Sequence, residues 1–393
     1  MTKWLTAGVV CMSLLACAAL ADDLDGELGR ALFKRNWVPA PSSTDAANGL
    51  GPLFNARSCD GCHLGGGAAR IVSGSHGRTT IKGAVVRLGN AGGQPDFYYG
   101  QQLQTDAVPG LEAEARVRFL PKLDIELLGP ELAADIKTSV RLAPALAGRA
   151  RFDAIPDEEI VKRADPGDSD GNGIKGRARR LGSDGVSGPV GRFGWKAAHA
   201  TLDAQIANAF ALDLGLSSPL DIRPYGDCTE AETDCRAAPN GVSAKQGGHE
   251  IGSEITRLVA DYVRSLEPPD ASEDAEGREV FDKTGCAACH VPSLMDRNNQ
   301  PIATYSDLLL HDMGPALDDG AGEPGAASAE WRTAPLLGLA ARGGNRRYLH
   351  DGRAATLEAA ILAHGGEAGA ARDTFEKLDL ADKRRLIAFL KQL

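Results

Sequence analysis

Apolar residues recur at helical spacing in four stretches of this chain, and they rarely alternate as they would in a half-exposed strand. In "LDAQIANAFALDL" (202–214), Leu202, Ile206, Ala209 and Phe210 share one face, and in "SEITRLVADYVRSL" (253–266), Ile255, Leu258, Val259, Tyr262, Val263 and Leu266 do the same. "TLEAAILAHGG" (356–366) aligns Leu357, Ala360 and Ile361, and "LADKRRLIAFLKQL" (380–393) aligns Leu386, Ile387, Leu390 and Leu393. Shorter faces come from Leu28, Ala31 and Leu32 in "GELGRALFKR" and from Val280 and Phe281 in "AEGREVFDKTGC". Pro268 and Pro269 stop one helix, Gly365 and Gly366 stop another, and Ser272 or Asp274 can cap the helix that follows the prolines. The clearest strand is "AVVRL" at 84–88. The pattern predicts a mainly α protein: two cytochrome c-like haem domains with long irregular connections and an inserted helical segment.

The first residues have the form of an export signal. Lys3 precedes the apolar run "LTAGVVCMSLL", and Ala19-Leu20-Ala21 offers a small-residue cleavage site. That run is short for a membrane span, and no later stretch is apolar enough to form one. "LLAC" also reads as a lipoprotein box that would leave a lipid on Cys17. The expected organisation is a signal peptide at 1–21, an N-terminal haem c region at 22–130, and an intervening, mostly helical segment at 131–270 packed against it. A C-terminal cytochrome c-like domain at 271–393 follows, beyond the acidic boundary "PPDASEDAEG". The expected location is the periplasm.

A formal charge of -10 without a long basic run argues against nucleic acid as a partner. Export changes the meaning of the cysteines, because disulfides persist outside the cytoplasm. Cys11 and Cys17 fall in the leader, and Cys228 and Cys235 in "DCTEAETDC" form either a disulfide or two unpaired thiols.

The remaining four cysteines form "CDGCH" (59–63) and "CAACH" (286–290). Haem c attachment explains every fixed position: two thioethers on one side of a turn, and an adjacent histidine for the iron. With eight Cys and eight His in 393 residues, chance produces such a motif about 0.003 times per chain. Thioredoxin-like dithiols and zinc sites are the rivals, but neither requires the histidine. Two covalent haems are expected, on Cys59, Cys62 and His63 and on Cys286, Cys289 and His290.

The other face of each iron decides function. His364 continues the Leu357, Ala360, Ile361 stripe and points inward, as either an iron ligand or an ordinary core histidine. His311 and Met313 compete for the same place, and His350 is either a pocket residue or a plain surface histidine. His76, in "SGSHGR", is either a detachable ligand of the first iron or a loop histidine. Peroxide cleavage also needs a group that carries a proton between oxygens, for which Gln101, Gln102, Gln104, Glu112 and Glu114 are candidates unless they form a solvated face. Asp168, Asp170 and Asn172 resemble the first half of a calcium loop, although Arg179 occupies the position of its closing glutamate; the alternative is an ion-free turn.

"GLGPLFNARSCDGCH", "YYGQQLQ", "DSDGNGIKGRARR", "GRFGWKAA", "YSDLLLHDMG", "EWRTAPLLGL" and "LHDGRAATLEAAILAHGGEA" together closely resemble the bacterial di-haem oxidoreductases, sometimes labelled thiol oxidoreductases. That family resembles, distantly, the di-haem cytochrome c peroxidases, in which one haem receives electrons and the other meets peroxide. The resemblance implies reduction of hydrogen peroxide by electrons from a small cytochrome c or cupredoxin. Alternatives are a purely electron-transferring cytochrome, or an enzyme oxidising a protein side chain or organic substrate. It further implies that His364 stands where those peroxidases have a methionine ligand, giving bis-histidine ligation and a lower potential. His76 would be the distal histidine, Glu114 the catalytic acid and Gln102 its neighbour, with Trp195 and Trp331 as possible electron relays. Thiol chemistry gains no support, since the cysteine pairs are consumed by haem.

Overall fold

The computed structural model describes residues 24–43, 47–73, 79–120, 122–268, 274–339 and 346–393. The expected leader, Cys17, His76 and Ser272 lie outside them. Each long helix forms where its apolar stripe lies, at Leu202–Leu214, Ser253–Ser265 and Leu380–Leu390. Thr201 accepts from the Ala204 N–H at the start of the first, and Gly215 ends it in the left-handed region at φ 71°. Asp274 caps Ala275–Lys283 by accepting from Gly277 N at 2.9 Å.

The mainly α expectation is wrong. Helix makes up 30% of the described residues and strand 19%, distributed over many small sheets. The strands are only two to six residues long, and most lie in glycine-rich or polar segments where no alternation can build up. "AVVRL" marks the centre of the largest sheet. Ala84–Gly89 pairs antiparallel with Lys137–Leu142 on one side and with Gln102–Leu103 on the other. A second pair, Leu310–Asp312 with Glu330–Arg332, sets His311 opposite Trp331.

One large core joins Leu32, Phe33 and Trp37 to Leu50, Phe54, Phe210, Leu258 and Val259, and takes Leu294, Leu308 and Leu309 from the C-terminal third. The helix at 24–34 lies tight against Ser253–Ser265, because Gly29 has no Cβ to strike the Leu258 carbonyl. A second core gathers Phe281, Phe375, Leu386, Phe389 and Leu393 behind the second motif, with Cys286 packed against it. Phe281, Phe375 and Phe389 are at most 2% exposed, so truncating any of them to alanine would cost about 3–5 kcal/mol. Cys228 and Cys235 form the expected disulfide, with Cα atoms 6.2 Å apart.

Candidate functional site

The second motif begins where Ala275–Lys283 ends. Gly285, at φ 89°, turns the chain into a 3-10 turn at Cys286–Ala288, and His290 N donates to Cys286 O at 2.9 Å. Two sulfurs and an imidazole therefore share one turn. The His290 ring bonds through Nδ1 to the Tyr305 carbonyl at 3.1 Å, leaving Nε2 as its free nitrogen. His364 lies just past the helix Leu357–Leu362, which Thr356 caps, and its Nδ1 bonds to Ala360 O at 2.7 Å. The two rings face each other with centroids 6.5 Å apart and planes inclined at 55°.

Burial holds both rings neutral. It lowers the pKa of His364, and with the neighbouring His364 it takes that of His290 down to about 4. Two neutral imidazoles, each fixed through Nδ1 on a backbone carbonyl, have the donor chemistry of axial iron ligands. His290 and His364 would be the residues to hold such an iron.

His311, the competing ligand, is turned away from this role. Its Nε2 lies 2.9 Å from Asp307 Oδ2 and its Nδ1 2.7 Å from Glu367 Oε2. Burial opposes its charge, but the bonds to Asp307, Cys289 and Glu367 outweigh it and push the pKa up to about 12. Ligand atoms of Cys289, Asp307 and His311 lie within 4.8 Å of one another, a spacing that zinc would tolerate. An imidazolium with both nitrogens donating has no lone pair for a metal.

The first motif is a single helical turn, Cys59–Cys62, with Ser58 Oγ accepting from Gly61 N at 3.2 Å. His63 bonds through Nδ1 to Pro144 O at 2.9 Å, with Gly67 O a longer neighbour at 3.3 Å, and burial lowers its pKa. This repeats the arrangement of His290. Burial pushes the Cys59, Cys62 and Cys286 thiols up to about 12, so they lack the thiolate character of a reactive dithiol. All four motif cysteines are free of disulfides.

Beside the first motif lies a buried amide and carboxylate cluster. Gln102, 1% exposed, donates from Nε2 to Asp213 Oδ1 at 2.8 Å, to Asn55 Oδ1 at 3.2 Å and to Leu212 O at 3.3 Å. Burial raises the Asp213 pKa, and the charge of this carboxylate acts on Cys59, Cys62 and His63. Glu114 stands one step farther back. Its Oε2 accepts from Gln104 N at 2.5 Å, and Gln104 Nε2 shares the Leu212 carbonyl with Gln102. Burial, then Glu232, raises the Glu114 pKa well above the usual range, so the two carboxyls share a proton. The solvated-face alternative fails for Gln102, Gln104 and Glu114, which are all buried. Asp213 was not among the sequence candidates. Its only sequence signal is an acid within the apolar last turn of Leu202–Leu214.

The backbone between the two motifs carries an aromatic group. Pro144 lies just beyond Lys137–Leu142, and Leu142 O accepts from Trp195 Nε1 at 2.8 Å while Leu142 N donates to His350 O at 2.7 Å. His350 is buried, and its ring stacks on Trp331 at 3.6 Å and 10°. Burial and the Arg141 charge hold His350 neutral, with its pKa lowered to about 2. Trp331 also lies under Lys196 Nζ at 3.8 Å and the Arg141 guanidinium at 4.3 Å.

In the acidic loop, Asp168 Oδ1 accepts from Gly173 N at 2.9 Å, and Asp170 Oδ2 accepts from Asn172 Nδ2 at 2.8 Å. Asp170 and Asn172 are exposed and Asp168 is half-buried, and all three side chains are engaged within the loop. Arg179 points away, into bonds with the Lys196 and Pro324 carbonyls.

A family model described as "Di-haem oxidoreductase, putative peroxidase" matches residues 126–393, which is 268 of 393 residues and includes the second motif. The chain belongs to the di-haem oxidoreductase family. No protein of curated function matches it. A solved structure of the hydrazine synthase of Kuenenia stuttgartiensis, pressurised with 20 bar xenon, is 18% identical over 56% of this chain and 76% of that one. Its TM-score is 0.27. No helix among the described residues is long and apolar enough to cross a membrane.

Proposed function

We propose that this di-haem oxidoreductase is an exported c-type peroxidase that reduces hydrogen peroxide with electrons from a small cytochrome c or cupredoxin. Cys59, Cys62 and His63 would hold one haem, and Cys286, Cys289, His290 and His364 the other. Bound haem supplies one-electron storage and, where a ligand position is open, a place for peroxide. The observation that carries the reading is the Gln102–Asp213 hydrogen bond beside the first motif. A site that only passes electrons needs no buried acid held by an amide.

The residues divide the work as follows. His63 and His290 are oriented by backbone carbonyls, so each presents one nitrogen in a fixed direction. Asp213, whose pKa burial raises, would deliver a proton to a departing hydroxide, and Gln102 fixes the carboxyl's orientation. Glu114 and Glu232, both with raised pKa values, lie beyond Gln102 and Gln104 and would hold a second proton. Reduction of one peroxide to two waters consumes two electrons and two protons, so a nearby proton store suits the stoichiometry. The His290–His364 pair favours a closed, electron-storing second site. Trp195, whose ring carries no cation among the described residues and whose Nε1 donates to Leu142 O two residues before the Pro144 that holds His63, would serve as a relay.

The test is turnover of hydrogen peroxide with a reduced small cytochrome, alongside cyanide binding to the half-reduced protein. Turnover and binding at one haem are expected. If both haems refuse cyanide and peroxide is not consumed, the chain is an electron-transfer cytochrome instead.

A further inference from the structure

We infer that Glu367 is a positioning residue for the second haem, a clasp that fixes the His364 turn over the His290 side. This rests on the reading of His364 as an axial ligand. His364 is followed at once by Gly365 and Gly366, so although its Nδ1 bonds to Ala360 O, the backbone that follows it has no Cβ to stiffen the turn. Gly366 runs at φ 53° against the strand end, where a Cβ would strike the Asp312 carbonyl and the Gly314 N–H. The turn is thus pressed onto a neighbour from which it could also peel away.

Glu367 closes that contact. Its Oε1 accepts from Asp312 N at 2.9 Å, and its Oε2 accepts from Lys175 N and from His311 Nδ1, both at 2.7 Å. One carboxylate therefore ties the ligand's turn to the Leu310–Asp312 strand and to the end of the acidic loop. The side chain is only 10% exposed, so these bonds compete little with water. The tether continues to the haem attachment point. His311 bonds to Asp307, and Asp307 N donates to Cys289 O at 2.9 Å. The carbonyl of the attachment cysteine and the turn that presents the opposite ligand are thus joined through Asp307, His311 and Glu367. Arg372 adds a weaker hold by donating to the His364 carbonyl at 3.2 Å.

The experiment uses the holoprotein with Glu367→Ala, Glu367→Gln, His364→Ala, the double variant E367A/H364A, and Glu358→Gln as a surface control. Glutamine at 367 keeps the volume but sets an N–H against donors, so it answers the question if the alanine variant folds poorly. Ferric absorption spectra, cyanide affinity at the second haem and retained haem content are measured. In Glu367→Ala and Glu367→Gln we expect a high-spin fraction and at least tenfold tighter cyanide binding at the second haem. The first haem should be unchanged, and E367A should add nothing to H364A. If both Glu367 variants match the wild type while H364A opens the site, the clasp is refuted and the ligand assignment stands. If H364A itself changes nothing, His364 is not a ligand and both ideas fall.

Discussion

The His290 and His364 rings stand 6.5 Å apart, each with Nδ1 bonded to a backbone carbonyl and neither carrying charge. Two neutral nitrogen donors stabilise oxidised iron relative to a histidine and thioether pair, which would set the redox character of a haem held there. His364→Met should raise one midpoint potential by on the order of 0.1 V, a fraction of the roughly 0.8 V that axial ligands span. Spectroelectrochemical titration reads it, and an unchanged potential removes His364 from the iron.

Asp213 is a buried acid whose charge acts on Cys59, Cys62 and His63, and Gln102 is its only side-chain donor among the described residues. Asp213→Asn keeps the shape and removes the transferable proton, so peroxide turnover should fall about a hundredfold or more with haem content intact. Glu114→Gln, one step farther away, should cost less. The reverse order in steady-state rates would move the acid to Glu114.

Glu114 and Glu232 give the fold a pH signature. Their carboxyl pKa values are raised in the folded protein, so their stabilising contribution is complete below the ordinary carboxylate range and is lost as pH climbs through the raised values. Asp227, raised to about 6 by burial, acts in the same sense. Glu114→Gln supplies a permanent N–H to Glu232 and should be more stable than wild type at pH 8, by on the order of 1–3 kcal/mol, and not at pH 4. Denaturant melts at the two pH values check it. Because the Cys228–Cys235 disulfide closes the loop that carries Glu232, replacing both cysteines with serine should cost about 2 kcal/mol and weaken the Glu114 effect.

Trp331 lies under two cations, which disfavour removal of an electron from its ring, whereas Trp195 has none among the described residues. Trp195→Phe should therefore slow electron exchange between the haems more than Trp331→Phe does. Flash reduction followed by the decay of each haem's band measures it, and equal rates in wild type and Trp195→Phe would exclude the relay.

Much of this was legible in the chain, for physical reasons that differ by residue. Long helices announce themselves because four or more apolar residues repeat on one face, and Asp274 and Thr356 cap where short polar side chains precede such runs. The haem motifs need only local spacing, and His364 followed from its stripe. The strands escaped notice because two to six residues cannot show a period, and Gln102–Leu103 is a strand only through its pairing with Ala84–Gly89. Asp213 and Glu367 were invisible for a different reason. Each is an acid on an apparently ordinary helical segment, and its meaning comes from partners more than fifty residues away, Gln102 for one and His311 for the other. His311 stayed a competing ligand in the sequence because nothing there reveals that two carboxylates flank it.

The measurement that bears most directly on the whole account is the intact mass of the denatured, matured protein, with a pyridine haemochrome spectrum of the same sample. The account predicts a chain heavier by two haems, both retained on denaturation and both lost when Cys59, Cys62, Cys286 and Cys289 are replaced by serine. A chain of bare polypeptide mass with four titratable thiols, or one carrying zinc, would contradict it.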